Sequence, residues 1–132
     1  MLYNMKITIM ILVFFSLGLS DNPVYDIEYH NDNINIKSIT YYNIRNNKIE
    51  LARIELYWIN GQKYSESYHV SGLKYKEILW YENGQKGMEC KEVDARGVNC
   101  KYWRRDGNTA KEEELSDSEE NDLFLEYRNR YF

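Results

Sequence analysis

The chain predicts a mainly β fold: one antiparallel meander sheet of hairpin repeats, with a signal helix before it and an amphipathic helix after it. Three observations carry this. Gly61, Gly84 and Gly107 are spaced 23 residues apart, as are Tyr57, Trp80 and Trp103, and a fixed period of that length marks a repeat architecture. Asn60-Gly61, Asn83-Gly84 and Asp106-Gly107 are dipeptides that favour tight hairpin turns. Ile34/Ile36, Ile39/Tyr41, Ile49/Leu51 and Ile54/Leu56 are apolar residues two apart, the step that places side chains on one face of a strand.

Taken in order, residues 1–20 read as a secretory signal. Lys6 supplies the positive start, residues 7–15 form an apolar run, and Gly18-Leu19-Ser20 offers small residues for cleavage near Ser20. The run is short for a spanning helix, which needs about 20 residues, and an uncleaved anchor is the alternative. The expected location is therefore exported, periplasmic or secreted. Residues 21–33 read as a polar lead-in in which Val24, Tyr25, Ile27 and Tyr29 have strand spacing. Residues 34–114 form the repeat domain, with further turn signals at Asn46-Asn47, Ser71-Gly72 and Arg96-Gly97.

The units Tyr57-Trp58-Ile59-Asn60-Gly61-Gln62-Lys63 and Trp80-Tyr81-Glu82-Asn83-Gly84-Gln85-Lys86 each carry a Glu five residues after the Gly, Glu66 and Glu89. They resemble the variant MORN-type repeats of antitoxin-like and exported bacterial proteins. Trp58 departs from that pattern by taking the second aromatic place, and Asp106-Gly107-Asn108-Thr109 is a degenerate last copy. The resemblance implies a curved antiparallel sheet that serves as an interaction scaffold and brings no catalytic residues with it.

Within the repeats, Tyr57, Trp80 and Trp103 are expected to stack as a ladder on one face and form core. Together with Trp58 and Tyr81 they are also the candidate binding residues, should the aromatic row face a ligand. Glu66, Glu89 and Glu112 share the period and read as a solvated or strand-pairing column flanked by Lys63 and Lys86. Cys90 and Cys100 flank the turn at residues 94–97. In an exported chain they suit a disulfide across one hairpin, with free thiols or a metal site as the other readings. In residues 115–132, Ser116 with Glu119 makes a capping box, and Leu123, Phe124, Tyr127 and Tyr131 recur at helical spacing. This predicts an acidic linker followed by a helix over about 117–131, packed on the sheet or docked into a partner.

The formal charge of −4 argues against nucleic acid, which calls for a basic patch, and against anionic membrane surfaces. His30 and His69 are the two imidazoles, and neither sits in a pattern that suggests a catalytic or metal site. The sequence thus points to a non-catalytic, cofactor-free repeat protein that binds another protein through its sheet face. The alternative is an antitoxin or immunity-type inhibitor acting through its acidic surface.

Overall fold

The computed structural model describes residues 24–92 and 97–131; the expected signal segment and its cleavage point lie outside them. Eight strands follow one another in a single open sheet with order β1 to β8, every neighbouring pair antiparallel. They are β1 (Val24–Tyr29), β2 (Ile36–Arg45), β3 (Lys48–Tyr57), β4 (Lys63–Val70), β5 (Leu73–Trp80), β6 (Lys86–Glu92), β7 (Val98–Trp103) and β8 (Thr109–Ala110). A 3-10 turn at Glu112–Glu114 leads into helix α1 (Asp117–Tyr131). The sheet therefore starts at Val24, ahead of the expected boundary at Ile34, because the Val24/Tyr25/Ile27 segment pairs along β2 instead of remaining a lead-in.

The two ends of the sheet use different turns. At one end, Asn46-Asn47 and Ser71-Gly72 put both residues at positive φ (50° and 58°, 50° and 79°), as a two-residue hairpin requires. In the Asn-Gly and Asp-Gly pairs at the other end only the second residue does, Gly61 at 84°, Gly84 at 83° and Gly107 at 90°. The Asn-Gly pairs are thus not two-residue turns. Gly61 N donates to Trp58 O and Trp58 N to Gln62 O, both at 2.9 Å, and the same two bonds recur at Tyr81–Gln85 and Arg104–Asn108. This is a three-residue loop closed by a left-handed glycine. The Asn works through its side chain instead: Asn60 Oδ1 accepts from Gln62 N at 2.9 Å and Asn83 Oδ1 from Gln85 N at 3.0 Å.

A fourth copy stands in front of the three. His30 N donates to Asn35 O and Asn33 N to His30 O, both at 2.9 Å, with Asn33 at φ 53° in the place of the glycine. Asp32 Oδ1 accepts from Ile34 N and Asn35 N at 3.0 Å. These backbone and side-chain bonds, first among them the one from Ile34 N, hold the Asp32 carboxyl below its ordinary pKa. Adjacent copies are tied by side chains. Asn60 Nδ2 donates to Glu82 O and Asn83 Nδ2 to Arg105 O, while Tyr81 OH donates to Trp103 O at 2.8 Å and His30 Nε2 lies 3.0 Å from Tyr57 O.

The helix closes the last copy. Glu119 Oε1 accepts from Arg105 N at 3.1 Å, and Arg105 also reaches Ser118 O and Asp122. The predicted capping box forms: Glu119 Oε2 accepts from Ser116 N at 2.9 Å and Ser116 Oγ from Glu119 N at 3.3 Å. These bonds, with Ser116 the largest cause, keep the Glu119 carboxyl below its usual range. The core lies between sheet and helix and comprises Leu79, Tyr81, Met88, Leu115 and Leu123, with Cys90, Tyr102, Ala110 and Phe124 at its margin.

The first three copies carry a bulge, the last pairs in unbroken register, and in the second and third the bulge decides which side chain enters this core. The register shifts between Leu56 and Tyr57 leave Tyr64 as the extra residue, and those between Leu79 and Trp80 leave Gly87. Tyr64 turns to the helix side, where its hydroxyl donates to Leu123 O at 3.0 Å. Gly87 leaves a notch: a Cβ there would lie 2.3 Å from Leu123 Cδ2 and 3.0 Å from the Tyr81 ring. Leu123 fills that notch and is fully buried. Burying such a leucine contributes roughly 1.5–3 kcal/mol.

Candidate functional site: the open sheet face

Residues directly opposite in an antiparallel ladder share a face. The rows Leu56–Ser65–Leu79–Met88–Tyr102–Ala110 lie on the helix side. The rows Glu55–Glu66–Ile78–Glu89–Lys101 and Tyr41–Arg53–Tyr68–Lys76–Lys91 lie on the other, and no described element packs over them. Beside them run Tyr57–Lys63 and Trp80–Lys86, paired across their bulges, and Trp103–Thr109.

The five candidate binding residues therefore divide. Tyr57, Trp80 and Trp103 are half-buried on the open face. Tyr81 is fully buried under the helix, and burial, with Glu119 beside it, pushes its hydroxyl up to about 12. Trp58 packs edge-on against Tyr64 at 4.6 Å between ring centroids. Its Nε1 is buried without a hydrogen-bond partner. Both open the loop one position past the strand end, where the side chain falls on the opposite face, so Tyr81 is a core residue and Trp58 is half-buried beside Tyr64.

The expected aromatic stack does not form as a stack either. Lysines stand between the rings: Lys63 Nζ lies 5.5 Å from the Trp80 centroid and Lys86 Nζ 5.4 Å from that of Trp103, within cation–π range. The core lies on the other face of the sheet.

Under this row Glu66 and Glu89 take the paired form of the expected column, beside Lys63 and Lys86, and not the solvated one. Glu55 and Glu66 are 5% and 7% exposed. Lys63 Nζ bridges them at 2.8 and 3.0 Å, and Arg53 reaches both at 3.8 and 3.6 Å. Glu55 also accepts from Tyr41 OH at 2.9 Å and Tyr57 OH at 2.8 Å, and Glu66 from Tyr68 OH. Burial alone would raise the Glu55 carboxyl, but the Lys63, Tyr57 and Tyr41 hydrogen bonds together hold it below its ordinary value. The Tyr57 hydroxyl is driven up by burial and then by Glu55. Two cations meet two anions here, and the cluster is neutral.

One period later, Glu89 is surrounded differently. Lys86 Nζ lies at 2.9 Å, Lys76 at 3.4 Å and Lys91 at 3.5 Å, and Lys101 stands directly opposite on β7. The hydrogen bond from Lys86 is the largest cause that brings the Glu89 carboxyl down to about 2. Glu112, the third member of the expected column, lies in the 3-10 turn, where it accepts from Tyr102 OH at 3.0 Å. Burial, then Glu112, pushes Tyr102 up to about 12.

On the helix side, Cys90 and Cys100 face each other across β6 and β7 and form a disulfide, with Cα atoms 4.0 Å apart. That separation belongs to the closer, non-hydrogen-bonded pair position. Next to the disulfide a groove of about 740 Å³ runs past Met88, Tyr102 and Phe124. On the same face Ser67 Oγ lies 3.0 Å from His69 Nε2, so His69 is not the solvated tip residue its place before Ser71-Gly72 suggests. Burial, then Lys74, lowers its pKa. The pair resembles a nucleophile and base, but Ser67 is 8% exposed and the groove lining does not include it. Among the described residues no group of three or more His, Cys, Asp or Glu could hold a metal ion, and no helix is long and apolar enough to cross a membrane.

Sequence reasoning missed Arg53, Glu55, Tyr41, Tyr68, Lys76, Lys91 and Lys101. The signal for six of them is a step of two within one strand: Glu55 and Arg53 from Tyr57, Tyr68 from Glu66, Lys76 from Trp80 by way of Ile78, Lys91 from Glu89 and Lys101 from Trp103.

No family model and no curated protein matches the chain. It is similar to the crystal structure of a DUF3836 family protein from Parabacteroides distasonis, at 15% sequence identity over 64% of this chain and 76% of that chain, with a TM-score of 0.30. A likeness that distant carries no argument about this chain's role.

Proposed function

We propose that the chain is an exported, non-catalytic repeat protein that docks another protein on its open sheet face. The observation that carries this reading is the asymmetry of the sheet. One face is closed by α1 over Leu79, Tyr81 and Met88. The other presents half-buried aromatics interleaved with lysines over a satisfied polar layer. Aromatic rings and long cationic side chains held in fixed positions suit a protein interface, since little freedom is left to lose on binding. The disulfide supports export to an oxidising compartment.

The inhibitor reading has less support. Four of the acids it would use are engaged within the chain: Glu112 with Tyr102, Glu114 with Lys111 N, Glu119 with the helix start and Asp122 with Arg105.

Cross-linking tests the proposal. The full chain, a Trp80→Ala/Trp103→Ala variant and an Ile49→Ser control at the far hairpin are each incubated with the exported fraction of the source cells. The expected result is one protein cross-linked to wild type and control and lost with the tryptophan variant, with links mapping to open-face lysines. Links mapping instead to Lys74, which lines the helix-side groove, would remove the proposal.

A further inference from the structure

Resting on that reading, we infer that the partner segment received by β5–β7 is an extended acidic peptide with carboxylates at alternate positions. The charge of the open face is unevenly divided. Over β3 and β4, Arg53 and Lys63 are matched by Glu55 and Glu66. Over β5 to β7, Lys76, Lys86, Lys91 and Lys101 surround the single carboxylate of Glu89. Four cations against one anion leave a local surplus of three, on a chain whose overall charge is −4. Composition averages the two faces and hides this patch.

Glu89 shows how the patch takes a carboxylate, with three ammonium groups within 3.5 Å of it. The lysines are positioned in advance. Lys86 lies over the Trp103 ring and Lys76 over the Tyr68 ring at 5.3 Å, so their stems are packed while their heads stay polar. Lys91 has 59% of its side chain exposed, and Lys101 is exposed. These two are the most exposed attachment points.

Spacing selects an extended peptide. Lys86, Lys101 and Lys91 lie in three successive open-face rows, about 7 Å apart along the strand direction. A peptide lying along the strands presents alternate side chains at the same pitch. Chemistry selects carboxylate over phosphate. The patch holds ammonium point charges and no guanidinium fork, and a flat sheet face offers no helix N-terminus to cradle a phosphate. Charge complementarity of this kind sets the encounter rate and the choice of partner.

The test uses the full chain and a labelled peptide of six Glu-Thr repeats, with a single-stranded thymidine 12-mer as the phosphate comparator. The peptide is expected to bind, to weaken as salt rises, and to bind about tenfold less tightly to Lys91→Glu/Lys101→Glu. Lys48→Glu, an exposed lysine at the β2–β3 hairpin, should leave binding unchanged. Should the reversal variant fail to fold, Lys91→Gln/Lys101→Gln reads the same loss. Absence of peptide binding, equal binding by the lysine variants, or tighter retention of the oligonucleotide would each overturn the inference. A partner protein that is lost with Trp80→Ala/Trp103→Ala but kept by Lys91→Glu/Lys101→Glu would overturn it too, while leaving the docking face standing.

Discussion

Residues 57–66 and 80–89 follow the same path, loop for loop and bulge for bulge, yet the extra residue at the bulge is Tyr64 in one and Gly87 in the other. Where Tyr64 stands, its ring fills the space beside Trp58. Where Gly87 stands, Leu123 of α1 enters and rests on Tyr81. The same two copies differ on the opposite face, where Glu66 is neutralised and Glu89 is outnumbered by lysines. The periodic residues build the sheet, and the aperiodic ones decide what each face receives. On one side that is the chain's own helix, and on the other it is the balance of lysine and carboxylate on the open face.

The notch is the sharpest part of the comparison and gives the largest expected effect. Leu123→Ala removes a fully buried side chain and should cost about 2–5 kcal/mol. Gly87→Ala places a methyl group on Leu123 and Tyr81 and should cost about 1–3 kcal/mol. In the double variant the clash with Leu123 is gone, so the two costs should fall short of additivity. Denaturant midpoints of the four chains measure this. Strict additivity would mean that Gly87 and Leu123 do not share one space.

How much of this was legible follows from the same distinction. Features that return every 23 residues stood out in the sequence, as did the Ser116/Glu119 cap and the Cys90/Cys100 pair, because each depends on local spacing. The first copy, at Tyr29 to Asn35, was hidden for two reasons. Its offset from Tyr57 is 28 residues, since the β2–β3 hairpin is longer than those that follow, and Asn33 takes the left-handed position without a glycine. The faces were hidden by the bulges. Counting in twos from Tyr57 or Trp80 fails once Tyr64 or Gly87 adds a residue, and Trp58 and Tyr81, one place past the strand end, looked equivalent to their neighbours for binding. The lysine patch was hidden because it assembles from β5, β6 and β7, and only the register brings Lys76, Lys91 and Lys101 together.

The two glutamates are separated by pH. Glu89 has its pKa lowered from 4.5 to about 2 by Lys86 first and Lys76 further down. Because the folded value lies below the unfolded one, its contribution is fully present above about pH 4.5 and is lost as pH falls toward about 2. Glu89→Gln should be less stable than wild type by about 1.5–3 kcal/mol at pH 7, the scale of a hydrogen bond to a charged group. It should also lose less stability than wild type between pH 4.5 and 2. Urea midpoints across that range provide the check. Parallel curves would show that Glu89 is held no more tightly than an ordinary surface acid.

The smallest effect tests the ladder that joins the copies. Asn83 has two tasks: Oδ1 accepts from Gln85 N within its own loop, and Nδ2 donates to Arg105 O in the next. Asp106 holds the same place in the last copy and keeps only the first task, accepting from Asn108 N at 2.9 Å, since no further loop follows it and Glu119 covers that end through Arg105 N. Asn83→Asp keeps the acceptor and deletes the donor, so it should cost about 1 kcal/mol, the net worth of one exposed hydrogen bond. Asp106→Asn restores a donor that has no loop to reach, and the bond that Asp106 Oδ2 accepts from Asn108 Nδ2 at 2.9 Å re-forms once the Asn108 amide turns over, so it should cost less than Asn83→Asp. Equal effects at the two positions would mean that the Asn side chains shape their own loops and do not bind one copy to the next.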